Sequence, residues 1–577
     1  MNLNSQYSFY PPQPDNPGDF DRYALSRFAL AQKGRPEDFG PILKLMSPPA
    51  PITSLAAAGE FKGLKVGVMG GGLAGLAAAF ELRKMGFDIT VFEALEDRVG
   101  GRVYTYYFDK YKTLYNEFGA ARIPVTHETV WHYLNLFRLP TRPFIQFNPH
   151  AYVYLRDTRV RNDAAGSNVM RYIYPKYNLS PWERNTSWQK LLYLGMDSHL
   201  LHASAGERGE ILQVKPVYNK KVLLWDYKSS MNMMESAGLS QDAIALASSF
   251  FPLLYGNLYN SYIDFIQESY PVNLAYLYEI PGGLSRLPMA FYKSLTASSP
   301  SYEYPGIDDG HLGRVNWQSG CWVSGIRLAG EGQKVTLSYR SHQKENTLEE
   351  TFDYVVCAIP FSTLRVLTID PLFSNIKMRA IREVNYTQSQ KSMLLCNERF
   401  WEKDGIYGGI SITDLPLASI FYPSGSPACI NKPGAALQPH KYLPWNEPGT
   451  LVGSYNFTLD SIRLTSQPEE DLLREIKREL ELVHGLSPGQ LDRIVEDFKV
   501  LDWDRQPTIR GALSFFAPEQ KRIFSYGMAQ PEYNERIFFA GEHISAVHRW
   551  MQGSLQSGME AANSLAAACK KHRQSMA

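Results

Sequence analysis

Three glycines set the first chemical constraint. Gly70, Gly72 and Gly75 stand as G-x-G-x-x-G behind the apolar run Lys65–Met69 and open a stretch of small residues, Leu73–Lys84. Gly70 permits a tight turn, Gly72 lets the backbone approach a pyrophosphate, and Gly75 lets helix and strand pack closely. Phosphates would then sit at a helix N-terminus, where free N–H groups and the helix dipole favour negative charge. Glu93, at the end of the next apolar run, is placed to accept hydrogen bonds from ribose hydroxyls. Shortly after it, Arg98 and Arg102 bracket Gly100 and Gly101. Two guanidinium groups around a glycine pair can neutralise a pyrophosphate from its other side. Farther on, Lys391 enters an apolar run. A buried lysine is rare enough to need a reason, either a snorkelling strand end or chemistry.

These residues need elements to hold them. Lys65–Met69 reads as a buried strand, Leu73–Lys84 as a helix closed by Gly86, and Asp88–Glu93 as a second strand. Strand, glycine loop, helix, strand is the start of a βαβ unit and predicts a parallel sheet. Residues 334–339, 352–358 and 392–396 read as further strands, and about 160–268 as mainly helical. Residues 466–485 read as one helix, with Ser466 and Glu469 as a capping box, an apolar face at Leu472, Leu473, Ile476, Leu480 and Val483, and Gly485 as its stop. The first 60 residues, rich in Pro and aromatics with a helical stretch at 21–32, predict an arm that cannot form a core alone.

The 577 residues suit two or three packed units. A net charge of +1 supplies no overall field for nucleic acid or an anionic membrane, and neither partner is expected. With 20% charged and 13% aromatic residues, the composition is that of a folded chain. The five cysteines, Cys321, Cys357, Cys396, Cys429 and Cys569, are scattered without a CxxC pair, which argues against zinc or a disulfide framework and for a reducing compartment. No signal peptide or membrane-spanning run is legible, so a cytoplasmic location is expected. No GxSxG, HExxH, Walker or EF-hand pattern occurs. His543 and His548 read as structural or pocket-lining, and no metal site is expected.

Separated stretches carry a resemblance. GAARIP at 119–124, KSMLLCNERFWEKDGIYGGISITDLP at 391–416 and RIFFAGEHISAVHRWMQG at 536–553 are similar, in order, to segments of flavoprotein amine oxidases. With the glycine loop and RVGGR at 98–102, the chain resembles the L-amino-acid oxidase branch of the FAD-dependent amine oxidase superfamily over most of its length. The resemblance implies FAD, held non-covalently, because no cysteine lies in the C-terminal segment. It implies contacts to that cofactor from Gly70, Gly72, Ala74, Gly75, Glu93, Arg98, Gly101, Arg102, Ala121, Arg122, Val323, Trp503, Gly541, Glu542, Trp550, Met551 and Ser554.

For the substrate, the resemblance places Arg122 on the carboxylate of an amino acid, a role that suits a planar, permanently charged guanidinium. Tyr455 would donate to the same carboxylate, although a Pro- and Gly-rich insertion at 428–449 lengthens the spacing from Lys391. Lys391 would be catalytic, holding a water near flavin N5 and assisting dioxygen. Trp550 would wall the ring, the carbonyl of residue 549 would accept from the substrate amine, and Leu513 would shape the side-chain pocket. The family commonly has a small residue at 549, so Arg549 departs from the pattern. Its side chain needs another exit, and could shape the pocket or select an acidic group. The helix following Gly553 would turn its positive end toward the flavin.

The implied fold class is α/β (α+β). A Rossmann-like FAD-binding domain is assembled from 61–110, 270–383 and 526–577, a mixed-sheet substrate domain from 111–159 and 384–525, and a helical domain spans 160–269, preceded by the arm 1–60. The implied reaction is oxidation of an L-amino acid by FAD and dioxygen to a 2-oxo acid, ammonia and hydrogen peroxide, in a homo-oligomer of two or more subunits. Three rivals remain: an L-amino-acid 2-monooxygenase forming an amide, a monoamine or polyamine oxidase, and a binding protein that keeps FAD as a support. The preferred side chain is not legible; Leu513 and Trp550 suggest an apolar wall, while acids of the helical region could favour Arg or Lys.

Overall fold

The computed structural model describes residues 11–300, 302–342, 344–424 and 445–576. Its first sheet is parallel throughout, in the order Val315–Ser319, Asp88–Glu93, Lys65–Met69, Tyr354–Cys357, Ile537–Phe539. Lys65–Met69 lies at its centre with Val66, Val68 and Met69 fully buried, as an apolar strand covered on both faces must be. The helix Leu73–Lys84 covers it, and the C-terminal helix Met551–Met576 packs on that helix in turn. The two helices cross so closely that a Cβ on Gly558 would lie 2.3 Å from the Ala74 carbonyl oxygen.

A four-stranded sheet (Lys344–Phe352, Lys334–Ser341, Cys321–Ala329, Thr368–Asp370) packs beside it through Phe92, Leu337 and Phe352. A seven-stranded mixed sheet forms the other large layer. Its order is Val495–Asp502, Ser389–Cys396, Gly449–Phe457, Ser419–Phe421, Ile410–Thr413, Tyr152–Leu155, Thr158–Arg161. Only the Ile410–Thr413 and Tyr152–Leu155 pair runs parallel. Between Val169–Ile173 and Tyr262–Ser269 the chain forms short helical segments.

Two sequence expectations change. Residues 466–485 are not one capped helix. Ser466 ends the helix Thr458–Thr465 and donates its hydroxyl back to the Arg463 carbonyl, while Glu469–His484 starts afresh behind Pro468. Proline lacks the N–H and disfavours helical geometry in the residue before it, so the capping box gives way to a break. Gly485 still ends the helix at φ +67°, and Leu472, Ile476, Leu480 and Val483 face the mixed sheet. The run 352–358 is also interrupted. Phe352 ends a strand of the four-stranded sheet and Tyr354 begins one of the parallel sheet. Between them Asp353 turns out to accept from the Lys65 N–H at 2.8 Å.

Within the arm, Asp19–Gln32 and Phe39–Met46 bury Leu25, Leu30, Ile42 and Met46 in the main core of their own chain. Arg22 pairs with Glu128 at 2.5 Å, and Asp38, fully buried, is shared by Arg35 (2.9 Å) and Arg208 (2.7 Å). The insertion at 428–449 falls largely on residues 425–444, which with Cys429 lie outside the described residues.

Candidate active site

The C-terminal edge of the parallel sheet opens into a cavity of about 970 Å³ that runs on to the mixed sheet. At its glycine-rich end, Gly70 turns at φ +100° and Gly72 caps the helix Leu73–Lys84. Gly75 is not in the cavity wall. A Cβ there would lie 2.0 Å from the Gly70 carbonyl oxygen, so its absence lets loop and helix touch. Glu93 accepts from the N–H groups of Gly71 (2.9 Å) and Leu95 (2.8 Å), and burial raises its pKa. Ala74, Gly101, Ala121, Val323, Gly541, Met551 and Ser554 all reach the wall. The first turns of two helices, at Leu73–Ala74 and Met551–Ser554, thus open into one space.

The two arginines of the RVGGR loop part company. Arg102 reaches the wall and pairs with Glu542 at 2.7 Å, also donating to the Ala512 carbonyl at 3.0 Å. Arg98, expected on the pyrophosphate, is not in the wall. It donates to the Gly101 carbonyl at 2.7 Å and lies 4.2 Å over the Tyr104 ring, bracing its own loop. Burial alone would raise the Glu542 carboxyl. Arg102, His548, His543 and the Ser514 hydroxyl outweigh it and hold Glu542 well below the ordinary range.

At the other end, Arg122, Tyr455 and Lys391 line the same cavity. Arg122 sits beside the short strand Ile123–Pro124; its Nη1 donates to the amide oxygen of Gln146 at 2.9 Å and its guanidinium lies 5.6 Å from the Phe421 ring centroid. Lys391 and Tyr455 face each other across neighbouring strands, with the ammonium 4.4 Å from the ring centroid. Lys391 Nζ donates to the carbonyls of Glu117 (2.9 Å) and Gly119 (2.8 Å). Burial, reinforced by Arg122 and opposed by Glu117, lowers its pKa to about 7. Burial likewise raises the Glu117 carboxyl to about 7, against hydrogen bonds from the Leu284 N–H and Thr105 hydroxyl. Burial raises the Tyr455 phenol, with Arg122 and Glu268 pulling in opposite directions.

Leu513 and Trp550 line the cavity; Trp503 does so too and donates Nε1 to the Phe118 carbonyl at 3.3 Å. Arg549 adopts φ +73°, a left-handed conformation rare for a side-chain-bearing residue. Its N–H donates to Glu542 at 2.8 Å. Its side chain finds its exit at Asp264: Nη1 meets Oδ2 at 3.0 Å and Nη2 the backbone carbonyl at 2.9 Å, with only 3% of the side chain exposed. The reading of Arg549 as a selector of acidic groups is therefore corrected, because its charge is already matched. Asp264 also holds His548 Nδ1 at 2.7 Å and accepts from Gln267 at 3.0 Å.

Sequence reasoning missed Glu117, Asp264 and Glu268. Asp264 carried no local signal, since its partners His548 and Arg549 lie on the opposite end of the chain. Glu117 stands close before the GAARIP segment, and only the tertiary fold brings its backbone carbonyl to Lys391 Nζ, 274 residues away in the chain.

The residues suit a flavin dinucleotide. A Cβ at Gly71 would lie 2.6 Å from the Glu93 carboxylate and 2.8 Å from the Trp317 ring, so glycine there lets the loop close on Glu93. Two helix N-termini face the cavity, and the buried Trp550 Nε1 has no hydrogen-bond partner among the described residues. The family profile of flavin containing amine oxidoreductases matches residues 73–566, and the chain belongs to that family. Its members use a flavin, FAD, as cofactor. Among curated relatives, the L-amino-acid oxidase of Bothrops atrox is 28% identical over 508 residues, 86% of this chain and 88% of its own. That of Pseudechis australis is 28% identical over 517 residues, 88% of this chain and 87% of its own. A solved putrescine oxidase double mutant shares the fold at TM-score 0.64 and 16% identity, covering 87% of this chain and 99% of its own. The cyclohexylamine oxidase from Brevibacterium oxydans IH-35A does so at TM-score 0.61 and 16% identity, covering 89% and 99%.

Proposed function

We propose that this oxidoreductase deaminates L-amino acids, giving 2-oxo acids, ammonia and hydrogen peroxide, with FAD held non-covalently and a homo-oligomeric state of two or more subunits. One observation carries the choice of substrate. Among the described residues, Arg122 presents a guanidinium to the cavity whose hydrogen-bond partner is the neutral amide of Gln146, whereas Arg102, Arg142 and Arg549 in the same wall are matched by Glu542, Glu279 and Asp264. An unmatched guanidinium beside a phenol is a receptor for a carboxylate, which simple amines lack.

The bound flavin supplies hydride acceptance and passes electrons on to dioxygen. The chain's own residues position and exclude. Arg122 and Tyr455 grip the carboxylate, which orients the Cα–H bond. The carbonyl of residue 549 receives the amine, and Trp550 limits the swing of the side chain. Lys391 has three N–H groups when charged and spends two on the carbonyls of Glu117 and Gly119, leaving one for a water on the oxygen side.

Arg122→Ala tests the reading. Loss of carboxylate capture should cost about 2–5 kcal/mol in kcat/KM for amino acids and leave decarboxylated amines unaffected. Unchanged kcat/KM on amino acids refutes the assignment, and equal turnover of an amino acid and its amine in the parent enzyme moves it to the amine oxidases. An amide product with little peroxide moves it to the monooxygenases.

A further inference from the structure

The carboxylates of the cavity wall are Glu93, Glu117, Glu268, Glu279 and Glu542. Glu93 is held by two backbone N–H groups, Glu117 by Thr105 and Leu284, Glu279 by Arg142, and Glu542 by Arg102, Ser514 and the Arg549 N–H. Glu268 differs. Its carboxylate has neither a hydrogen bond nor an ion pair among the described residues, although it is half-buried. A half-buried carboxylate with no partner among the described residues is open to a cation that enters the cavity.

The surroundings narrow that cation. Glu268 comes from the helix Tyr262–Ser269, and the only other described wall residue from the 160–269 region is Leu253. An aliphatic side chain and a carboxylate from the same helical region, both in the wall, suit a methylene stem with a positive tip. Glu268 and Arg122 line the same cavity as Tyr455 and act with opposite sign on its phenol. The α-amine is an unsuitable partner for Glu268. A carboxylate would stabilise its protonated form, and that proton must leave before Cα can give up a hydride.

We infer that Glu268 is a side-chain subsite that selects L-amino acids with a cationic side chain, such as arginine, lysine and ornithine. This rests on the L-amino-acid oxidase reading, with Arg122 holding the α-carboxylate while Glu268 receives the distal ammonium or guanidinium. No covalent step is involved; the residue acts on affinity alone.

The test compares the holoenzyme with Glu268→Gln in peroxide-coupled assays on L-arginine, its neutral near-isostere L-citrulline, L-lysine and L-leucine. Because the Glu268 carboxylate makes no hydrogen bond or ion pair among the described residues, the substitution removes charge without removing a side-chain contact seen there. In the parent enzyme kcat/KM for arginine should exceed that for citrulline by about tenfold or more, a preference expressed mainly in KM. Glu268→Gln should abolish it while changing kcat/KM for leucine less than about threefold. Three results overturn the inference: no preference for arginine over citrulline in the parent enzyme, no change in that preference in the variant, or an equal fall on all four substrates, which would place Glu268 at the α-amine. Turnover of leucine by the parent enzyme in any of these cases leaves the wider reading standing, and failure on every amino acid rejects that reading instead.

Discussion

The two ends of the cavity are built from different materials. At the glycine-rich end, backbone N–H groups and helix termini supply the polarity, and the side chains that matter are mostly absent ones, at Gly70, Gly71, Gly72 and Gly75. At the reacting end, side-chain charges supply it: Arg122, Lys391, Glu117, Asp264, Arg549 and Glu268. Backbone donors suit a phosphate that every turnover leaves in place. Side-chain charges can be paired, left unmatched or shifted in pKa, and this is the freedom that substrate choice and proton movement need.

The contrast can be broken by experiment. Asp264→Ala should be the most damaging change, because it strips Arg549 and His548 of their buried partner; about 3–5 kcal/mol of stability is expected to go, read by denaturant unfolding of the holoenzyme. If the loss is within about 0.5 kcal/mol, the reacting end does not depend on that pair. Lys391→Met should slow reoxidation by dioxygen by about a hundredfold, with anaerobic reduction by substrate far less affected, in stopped-flow absorbance. The parent enzyme should show a related pH effect. Below pH about 7 Lys391 keeps its third N–H, and as pH rises through its lowered pKa of about 7 that donor is lost, so reoxidation should slow. A flat profile between pH 6 and 8.5 would contradict this role.

Gly75→Ala probes the backbone-built end. Its Cβ would meet the Gly70 carbonyl oxygen at 2.0 Å, so about 1–3 kcal/mol of strain and weaker flavin retention are expected, measured by flavin release on dilution. The smallest effect should come from Arg98. Arg98→Gln should weaken flavin binding by less than about 1 kcal/mol, whereas Arg102→Gln should weaken it more, because Arg102 alone reaches the wall and braces Glu542. Equal losses from the two would restore Arg98 to the pyrophosphate.

Where the chemistry is local, the sequence was a sufficient guide. The strand Lys65–Met69, the helix Leu73–Lys84 and the strand Asp88–Glu93 have the bounds that their apolar pattern and glycines predict. Gly75 acts as its spacing demands, since a tight turn and a close helix contact are settled by residues a few positions apart. The helix at 466–485 shows how the same logic fails on one overlooked residue. The Ser466 and Glu469 spacing was right for a capping box, but Pro468 between them splits the helix.

The amino-acid sequence by itself determined the dinucleotide fold, the family and the identity of the charges available to the cavity, because motifs of short span encode backbone geometry directly. Only the tertiary structure decided which of those charges are matched. Arg98 and Arg102 differ by nothing local, yet one stacks on Tyr104 and the other meets Glu542. Arg549 is neutralised by Asp264 from the helical region, while Glu268, one helical turn farther along, is left facing the cavity. Pairing across hundreds of residues depends on how helices and sheets are placed against one another, and no spacing in the chain carries that information.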